Sequence, residues 1–140
     1  MRIIILGAGQ VGASVAEALS SEANDITIVD QSREVLGDLA DRLDVRTLVG
    51  NGALPSVLRS AGMDDADMLV AVTQSDSTNL VACKIARSVF NVTTRIARLR
   101  SADYLDDQGM LDDEHFAVTH AICPEQEITD YIARLIEFPE

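Results

Sequence analysis

Short apolar segments alternate with segments of helical periodicity through the first hundred residues. Five mostly apolar runs predict buried strands, at 2–6, 26–29, 45–49, 68–72 and 95–99. Between them, apolar residues recur at intervals of three or four, as in amphipathic helices. Apolar strands that alternate with helices predict a parallel sheet covered on both faces. With right-handed crossovers, the pattern is that of a doubly wound α/β domain, the Rossmann fold.

Local signals mark where several of these helices begin and end. Ser32 is a candidate N-cap, and Pro55 suits the first turn of a short helix that ends near Gly62. A longer helix is predicted from about residue 76 to residue 89. Its apolar face is expected to hold Val81, Ile85 and Val89.

The last third of the chain has a different pattern. Residues 103–114 contain six acids and no base, which favours a solvated helix and loop. Residues 117–122 predict a sixth strand, and Pro124 opens a helix to about Phe138. The apolar stripe of that helix is wide, so we expect it to pack on something outside this chain. Docking on the chain's own sheet is the alternative. The stripe consists of Ile128, Tyr131, Ile132, Leu135, Ile136 and Phe138.

A glycine-rich turn between the first strand and the first helix is the strongest chemical signal. It has the form of the dinucleotide-binding fingerprint. The first glycine permits the tight turn, the second lets a pyrophosphate approach the backbone, and the third allows close helix packing. The helix N-terminus adds N–H groups and a positive dipole end. The predicted phosphate-binding residues are Gly7, Ala8, Gly9, Gln10, Val11 and Gly12.

An acidic residue follows the glycine motif at the spacing that the fingerprint requires. Asp30 ends the second strand, 18 residues after Gly12. It is expected to accept hydrogen bonds from the adenosine ribose, and its charge disfavours a 2′-phosphate and therefore NADP. A helix-capping role is the alternative for this residue.

Two further strand ends point at the same cleft. Small residues around Asn51 and Gly52 leave room for an adenine, or form a plain turn. The hydroxyl-rich segment that begins at Thr73 and ends at Asn79 either contacts phosphate or ribose or only caps the following helix.

Basic residues are concentrated between residues 84 and 100, a stretch with five positive charges and no acid. Arg98, at the end of the fifth strand, could hold a terminal phosphate in fork geometry, or pair with the acidic segment. Lys84 is the second candidate for such a contact.

Charge and composition narrow the function classes. The net charge of −12 disfavours nucleic acid as a partner. No apolar run is long enough to insert into a membrane. Cys83 and Cys123 are expected to be reduced thiols. His115 and His120 lack partners at a catalytic spacing, so we expect surface or sheet-edge positions and no enzymatic activity.

Four segments taken together resemble one family. They lie at residues 3–12, 25–30, 66–73 and 95–98 and are similar to the N-terminal RCK, or KTN, domain of TrkA. TrkA proteins are the regulatory subunits of bacterial Trk potassium uptake systems. The resemblance spans nearly the whole chain.

This resemblance implies a set of properties beyond the residue patterns. It implies NAD(H) or ATP/ADP in the cleft, homo-oligomers paired through a crossover helix, and a membrane-embedded potassium transporter as partner. It places the protein in the cytoplasm, on the inner face of the cell membrane. It divides the chain into a nucleotide-binding domain, 1–123, and a crossover helix, 124–140, cut from a longer protein. It also suggests Glu125 as a ligand for a divalent cation.

The leading hypothesis is therefore a nucleotide-sensing regulatory domain of a potassium uptake system. The alternatives are the cofactor domain of an NAD-dependent oxidoreductase and a structural dimerisation module with a vestigial cleft. The intact glycines and Asp30 argue against the vestigial module. The sequence does not rank NAD⁺, NADH, ATP and ADP.

Overall fold

The computed structural model describes residues 1–21, 23–107, 109–122 and 131–136. Within these residues six strands form one parallel sheet, in the order β3-β2-β1-β4-β5-β6. The strand order reverses between β1 and β4, so the doubly wound fold is confirmed. The strands are β1 Arg2–Leu6, β2 Asp25–Asp30, β3 Arg46–Val49, β4 Met68–Ala71, β5 Thr94–Arg98 and β6 His120–Ile122.

Helices cover both faces of the sheet and begin where the local signals predict. They are α1 Gln10–Leu19, α2 Arg33–Arg42, α3 Pro55–Ser60, α4 Asp76–Ser88 and α5 Ala102–Asp106, with a 3-10 helix at Met63–Asp65. The Ser32 hydroxyl accepts a hydrogen bond from the Val35 amide at 3.3 Å, which confirms the predicted N-cap. Pro55 occupies the first turn of α3. Gly62 follows that helix with φ +95°.

Two aliphatic layers form the core, one on each face of the sheet. The first layer joins α1 and α2 to alternate strand residues such as Ile5 and Ile28. The second joins α3 and α4 to the other strand residues, such as Leu6 and Leu69. Because parallel strands are buried on both faces, successive residues are apolar throughout β4 and from Ile3 onward in β1.

The apolar face of α4 differs from the prediction. Val81 and Val89 are exposed, at 37% and 52%, and Ile85 is half-buried. Small residues face the sheet instead, which lets the helix lie close to β4 and β5. The three residues share one face, as their spacing predicts, but the sheet buries a different face of the helix. The buried residues of α4 are Asn79, Leu80, Ala82, Cys83 and Ala86.

The segment between α5 and β6 is organised around one buried arginine. Arg95 is 4% exposed, and its guanidinium donates to the Ala117 carbonyl at 2.6 Å and to the Asp113 carboxylate at 2.8 Å. Ala117 has φ +58°, a left-handed conformation that interrupts the extended backbone. The strand therefore begins only at His120. The sixth strand is therefore shorter than predicted, and His120 lies on the sheet edge, as expected.

Residues 131–136 are helical and pack on the first core layer. Ile132 is fully buried there, and Leu135 and Ile136 are partly buried against the same layer. The expectation that Ile132 faces a partner outside the chain was therefore wrong. Cys123, Pro124, Glu125, Ile128 and Phe138, with the predicted start and end of this helix, lie outside the described residues.

None of the described residues belongs to a helix long and apolar enough to cross a bilayer.

Candidate nucleotide-binding site

The three motif glycines have different steric surroundings. Gly7 has φ +105°, and a Cβ there would lie 2.9 Å from the Val72 carbonyl oxygen. A Cβ on Gly12 would lie 1.8 Å from the Gly7 carbonyl oxygen, so glycine is required for α1 to start against the turn. A Cβ on Gly9 would meet no protein atom within 4 Å. The turn is tight at Gly7 and Gly12 and open to solvent at Gly9.

The open position coincides with the start of α1. Gly9 is the N-cap of this helix, has no side chain to bond the first amides, and is followed by a first turn without acids. Unpaired amides and the positive dipole end therefore attract an anion. This chemistry would suit a pyrophosphate, which would take the space that a side chain at Gly9 would occupy.

Asp30 lies at the carboxyl end of β2, directly beside the glycine turn. Its Oδ2 atom accepts a hydrogen bond from the Ala8 amide at 2.8 Å, and Oδ1 accepts one from the Ser32 amide at 2.8 Å. Each carboxylate oxygen has a second lone pair, so both can also accept from ribose hydroxyls. The carboxylate thus supports the turn and faces the cleft.

Two adjoining cavities lie over the carboxyl ends of the strands. One, of about 220 Å³, extends between the glycine turn and the β3–α3 loop, with Asn51 and Gly52 in its wall. The other, of about 420 Å³, extends over Gly9 and Gln10 toward the end of β5. Together they lie within the range of about 300–1,000 Å³ typical of ligand pockets. Both cavities are lined by Gly7, Asp30, Thr73 and Gln74.

Thr73 and Asn79, both predicted to contact ligand, occupy different environments. Thr73 lines both cavities. Asn79 is completely buried and lines neither. Its side chain accepts from the Thr73 amide and hydroxyl, and it donates to the Arg98 carbonyl at 2.8 Å. The structure thus places Asn79 beneath the cleft floor.

The basic residues also differ in whether they line the cavities. Arg98 is 6% exposed and lines the larger cavity together with Arg100. Arg100 also donates from its guanidinium to the Gln74 carbonyl at 2.7 Å. Lys84 is directed away from both cavities, with its ammonium 3.5 Å from the Asp113 carbonyl oxygen. Asp113 of the acidic segment forms its ion pairs with Arg87 and Arg95.

The cleft wall also contains polar residues that were not predicted individually, among them Gln31, Gln74 and Arg100. Each lies one to three residues beyond a strand end, at the carboxyl edge where ligands of such sheets bind. That position was the available signal, since glutamine at a loop carries no motif of its own.

The cation site suggested at Glu125 lies outside the described residues. Among the residues that the structure describes, no group of three or more His, Cys, Asp or Glu side chains is arranged to hold a metal ion.

The strand order, the glycine turn and the acid at the end of β2 together define a nucleotide-binding type of Rossmann fold. The family model described as the TrkA-N domain matches residues 3–124. The chain belongs to the TrkA-N domain family.

Curated relatives extend this match to nearly the whole chain. The Trk system potassium uptake protein TrkA of Halomonas elongata is 51% identical over 139 residues, which cover 99% of this chain and 30% of the relative. The protein of the same name from Vibrio alginolyticus is 49% identical over 140 residues, covering 99% and 31%. The chain therefore spans about three tenths of the length of these relatives.

Solved structures share the fold at lower identity. The TrkA-N domain of inner membrane protein ybaL from Escherichia coli has a TM-score of 0.76 at 21% identity, covering 99% of this chain and 96% of that one. The GsuK channel bound to NAD has a TM-score of 0.71 at 18% identity, covering 86% and 21%. At these identities the likeness shows the fold alone.

Proposed function

We propose that this chain is a nucleotide-sensing regulatory domain of a potassium uptake system. The observation that carries the proposal is the cleft in which the open Gly9 position, the Asp30 carboxylate and Arg98 face one pair of cavities. A phosphate chain over the start of α1 would have its adenosine on the Asp30 side and its far end near Arg98. NAD(H), ATP and ADP all meet this description.

The comparisons support the physiological context of the proposal. The curated relatives carry the name Trk system potassium uptake protein TrkA, and structures of GsuK have been solved with NAD and with ADP. On this proposal the partner is a membrane-embedded potassium transporter. A homo-oligomer of the domain binds to it from the cytoplasmic side. The ligand gates the transporter only if it binds one arrangement of the oligomer more tightly than another.

The proposed chemistry is binding without bond formation. The fold is also shared by the reductase ChuY, at a TM-score of 0.67 and 12% identity, which is a likeness of fold only. We therefore expect no steady NADH production by the purified chain with common alcohols or hydroxy acids. Sustained turnover would favour the oxidoreductase alternative.

Titration calorimetry with NAD⁺, NADH, ATP and ADP tests the binding half of the proposal. Saturable binding of at least one of these ligands, lost in Gly9→Val, is the expected result. The regulatory half is tested by growth at limiting potassium of cells whose own gene carries Gly9→Val. Normal growth with a non-binding domain would contradict the regulatory role.

A further inference from the structure

We propose that Asn79 is a positioning residue that sets the distance between the two cleft-lining strand ends and thereby orients Arg98 toward the phosphate chain. This inference rests on the proposed function, because Arg98 matters here only as a ligand contact. It gives Asn79 a role different from the direct contact that the sequence suggested.

The Asn79 side chain forms a bridge between the ends of β4 and β5. Its Oδ1 atom accepts from the Thr73 amide at 3.0 Å and the Thr73 hydroxyl at 2.7 Å. Its Nδ2 atom donates to the Thr73 carbonyl at 3.2 Å and the Arg98 carbonyl at 2.8 Å. The amide has two donors and two acceptor lone pairs, so its hydrogen-bonding capacity is fully used.

The position of the bridge makes its geometry consequential. The β4–β5 backbone pairing extends as far as Ala71 and Ala97. Thr73 and Arg98 lie just beyond that last pair, where the cleft begins. Asn79 is fully buried, so water does not replace its bonds without opening the core. The Asn79 amide thus extends the coupling of the two strands into the cleft wall.

Arg98 is the group through which this coupling reaches the ligand. Arg98 lines the larger cavity with Gly9 and Gln10, over the start of α1. A guanidinium binds phosphate in a fork whose energy depends on direction as well as distance. A shift of the Arg98 backbone would therefore weaken the fork while leaving the Asp30 side of the cleft intact.

A double-mutant cycle tests the inference on the 140-residue chain, with ATP as the probe in calorimetry. We expect Asn79→Ala to lower ATP affinity about tenfold, within the range for residues coupled through one hydrogen-bond network. In an Arg98→Ala background the same substitution should change ATP affinity less than twofold. Equal losses in both backgrounds would overturn the proposal.

Two controls separate positioning from loss of fold. Cys83→Ala alters a buried residue one turn further along α4, and it should lower stability without changing ATP affinity. If Asn79→Ala does not fold, Asn79→Asp keeps the volume and the acceptor oxygen but replaces the donor that faces the Arg98 carbonyl. A folded Asn79→Asp chain that binds ATP as the parent does would also overturn the proposal. Failure of the parent itself to bind nucleotide would instead refute the proposed function.

Discussion

At the scale of single residues, one motif contains glycines that are required for unrelated reasons. Gly12 is needed by the protein itself, because a Cβ there would overlap the Gly7 carbonyl. The protein fold does not need glycine at position 9, because a side chain there would face open space; on the proposed function, a ligand needs that space. The fingerprint in the sequence identified both glycines but could not separate these roles, since the separation depends on the neighbouring backbone.

Gly9→Val should abolish nucleotide binding and leave the domain folded. Gly9 has φ −73°, a conformation that valine adopts, and its side chain would occupy the phosphate position. Gly12→Ala is the matched contrast and should destabilise the domain by about 3 kcal/mol, since it overpacks backbone. Circular dichroism and calorimetry distinguish the two results. A folded Gly9→Val chain with normal affinity would show that the turn does not hold the phosphates.

Asp30→Ala should weaken the binding of all adenosine nucleotides by about 1.5–3 kcal/mol, the range for hydrogen bonds to a charged group. The loss has two sources, because the carboxylate faces the cleft and also accepts from the Ala8 amide. Asp38→Ala removes an equal charge from an exposed position on α2 and should leave affinity unchanged. Calorimetry of both variants checks this, and equal affinities in both would place Asp30 outside the site.

Cys83 should give the domain a pH-dependent loss of stability under alkaline conditions. Burial raises the pKa of its thiol from 9.0 to about 12, against a smaller opposing effect of the Arg95 charge. The folded chain therefore keeps a proton that the unfolded chain loses above pH 9. Below pH 9 the buried thiol makes its full contribution to the free energy of unfolding. Between pH 9 and about pH 12 that free energy falls by about 1.4 kcal/mol per pH unit.

Urea unfolding of the parent and Cys83→Ala between pH 7 and pH 10.5 measures this effect. The difference in unfolding free energy between the two chains should be constant up to pH 9. It should then shift in favour of Cys83→Ala as the pH rises. A difference that stays constant throughout would mean that the thiol ionises as readily in the folded chain.

At the scale of elements, strands were more predictable than helix faces. A strand buried on both sides is apolar at every position, so β1 and β4 were recognisable without knowing their neighbours. The exposed face of α4 contains Val81, with the exposed Val89 at its C-cap, while its buried face contains alanines and a cysteine. Which face is buried depends on the distance between the helix and the sheet, and the apolar periodicity of the helix does not specify that distance.

The loop before β6 depends on Arg95 far more than on its ionic partner. The Arg95 side chain is 5% exposed, whereas that of Asp113 is 62% exposed. Arg95→Met should cost about 1–3 kcal/mol, because the Ala117 carbonyl loses its donor inside the core. Asp113→Ala should cost less than about 1 kcal/mol, as for exposed ion pairs. Urea unfolding of both variants measures the contrast, and equal costs would contradict this account.

At the scale of the whole molecule, the cleft joins two halves of one sheet. Asp30 belongs to the half formed by β1, β2 and β3, and Arg98 belongs to the half formed by β4, β5 and β6. The sequence predicted this meeting from topology, because strand order reverses between the halves. It did not predict Arg100 or Gln74 in the wall, since their placement follows from loop conformation.

A ligand that spans both halves should stabilise the entire domain. At a hundred times its dissociation constant, ATP adds about 2.7 kcal/mol to the unfolding free energy. For a domain of this size the melting temperature should rise by about 6–10 °C. Differential scanning calorimetry checks the rise, with Gly9→Val as a control that should show none. An equal rise in that control would assign the effect to binding elsewhere.

The hydrogen bond from the Ala8 amide to Asp30 has a consequence for timing. This bond between protein atoms fixes the glycine turn against the end of β2, so a nucleotide meets a site that needs little rebuilding. Encounter is then limited mainly by diffusion and orientation, and the lifetime of the complex is set by how fast the nucleotide leaves. On the proposed function, the domain would respond quickly to a rise in nucleotide concentration. After the concentration falls, the bound state would persist for the residence time of one nucleotide molecule.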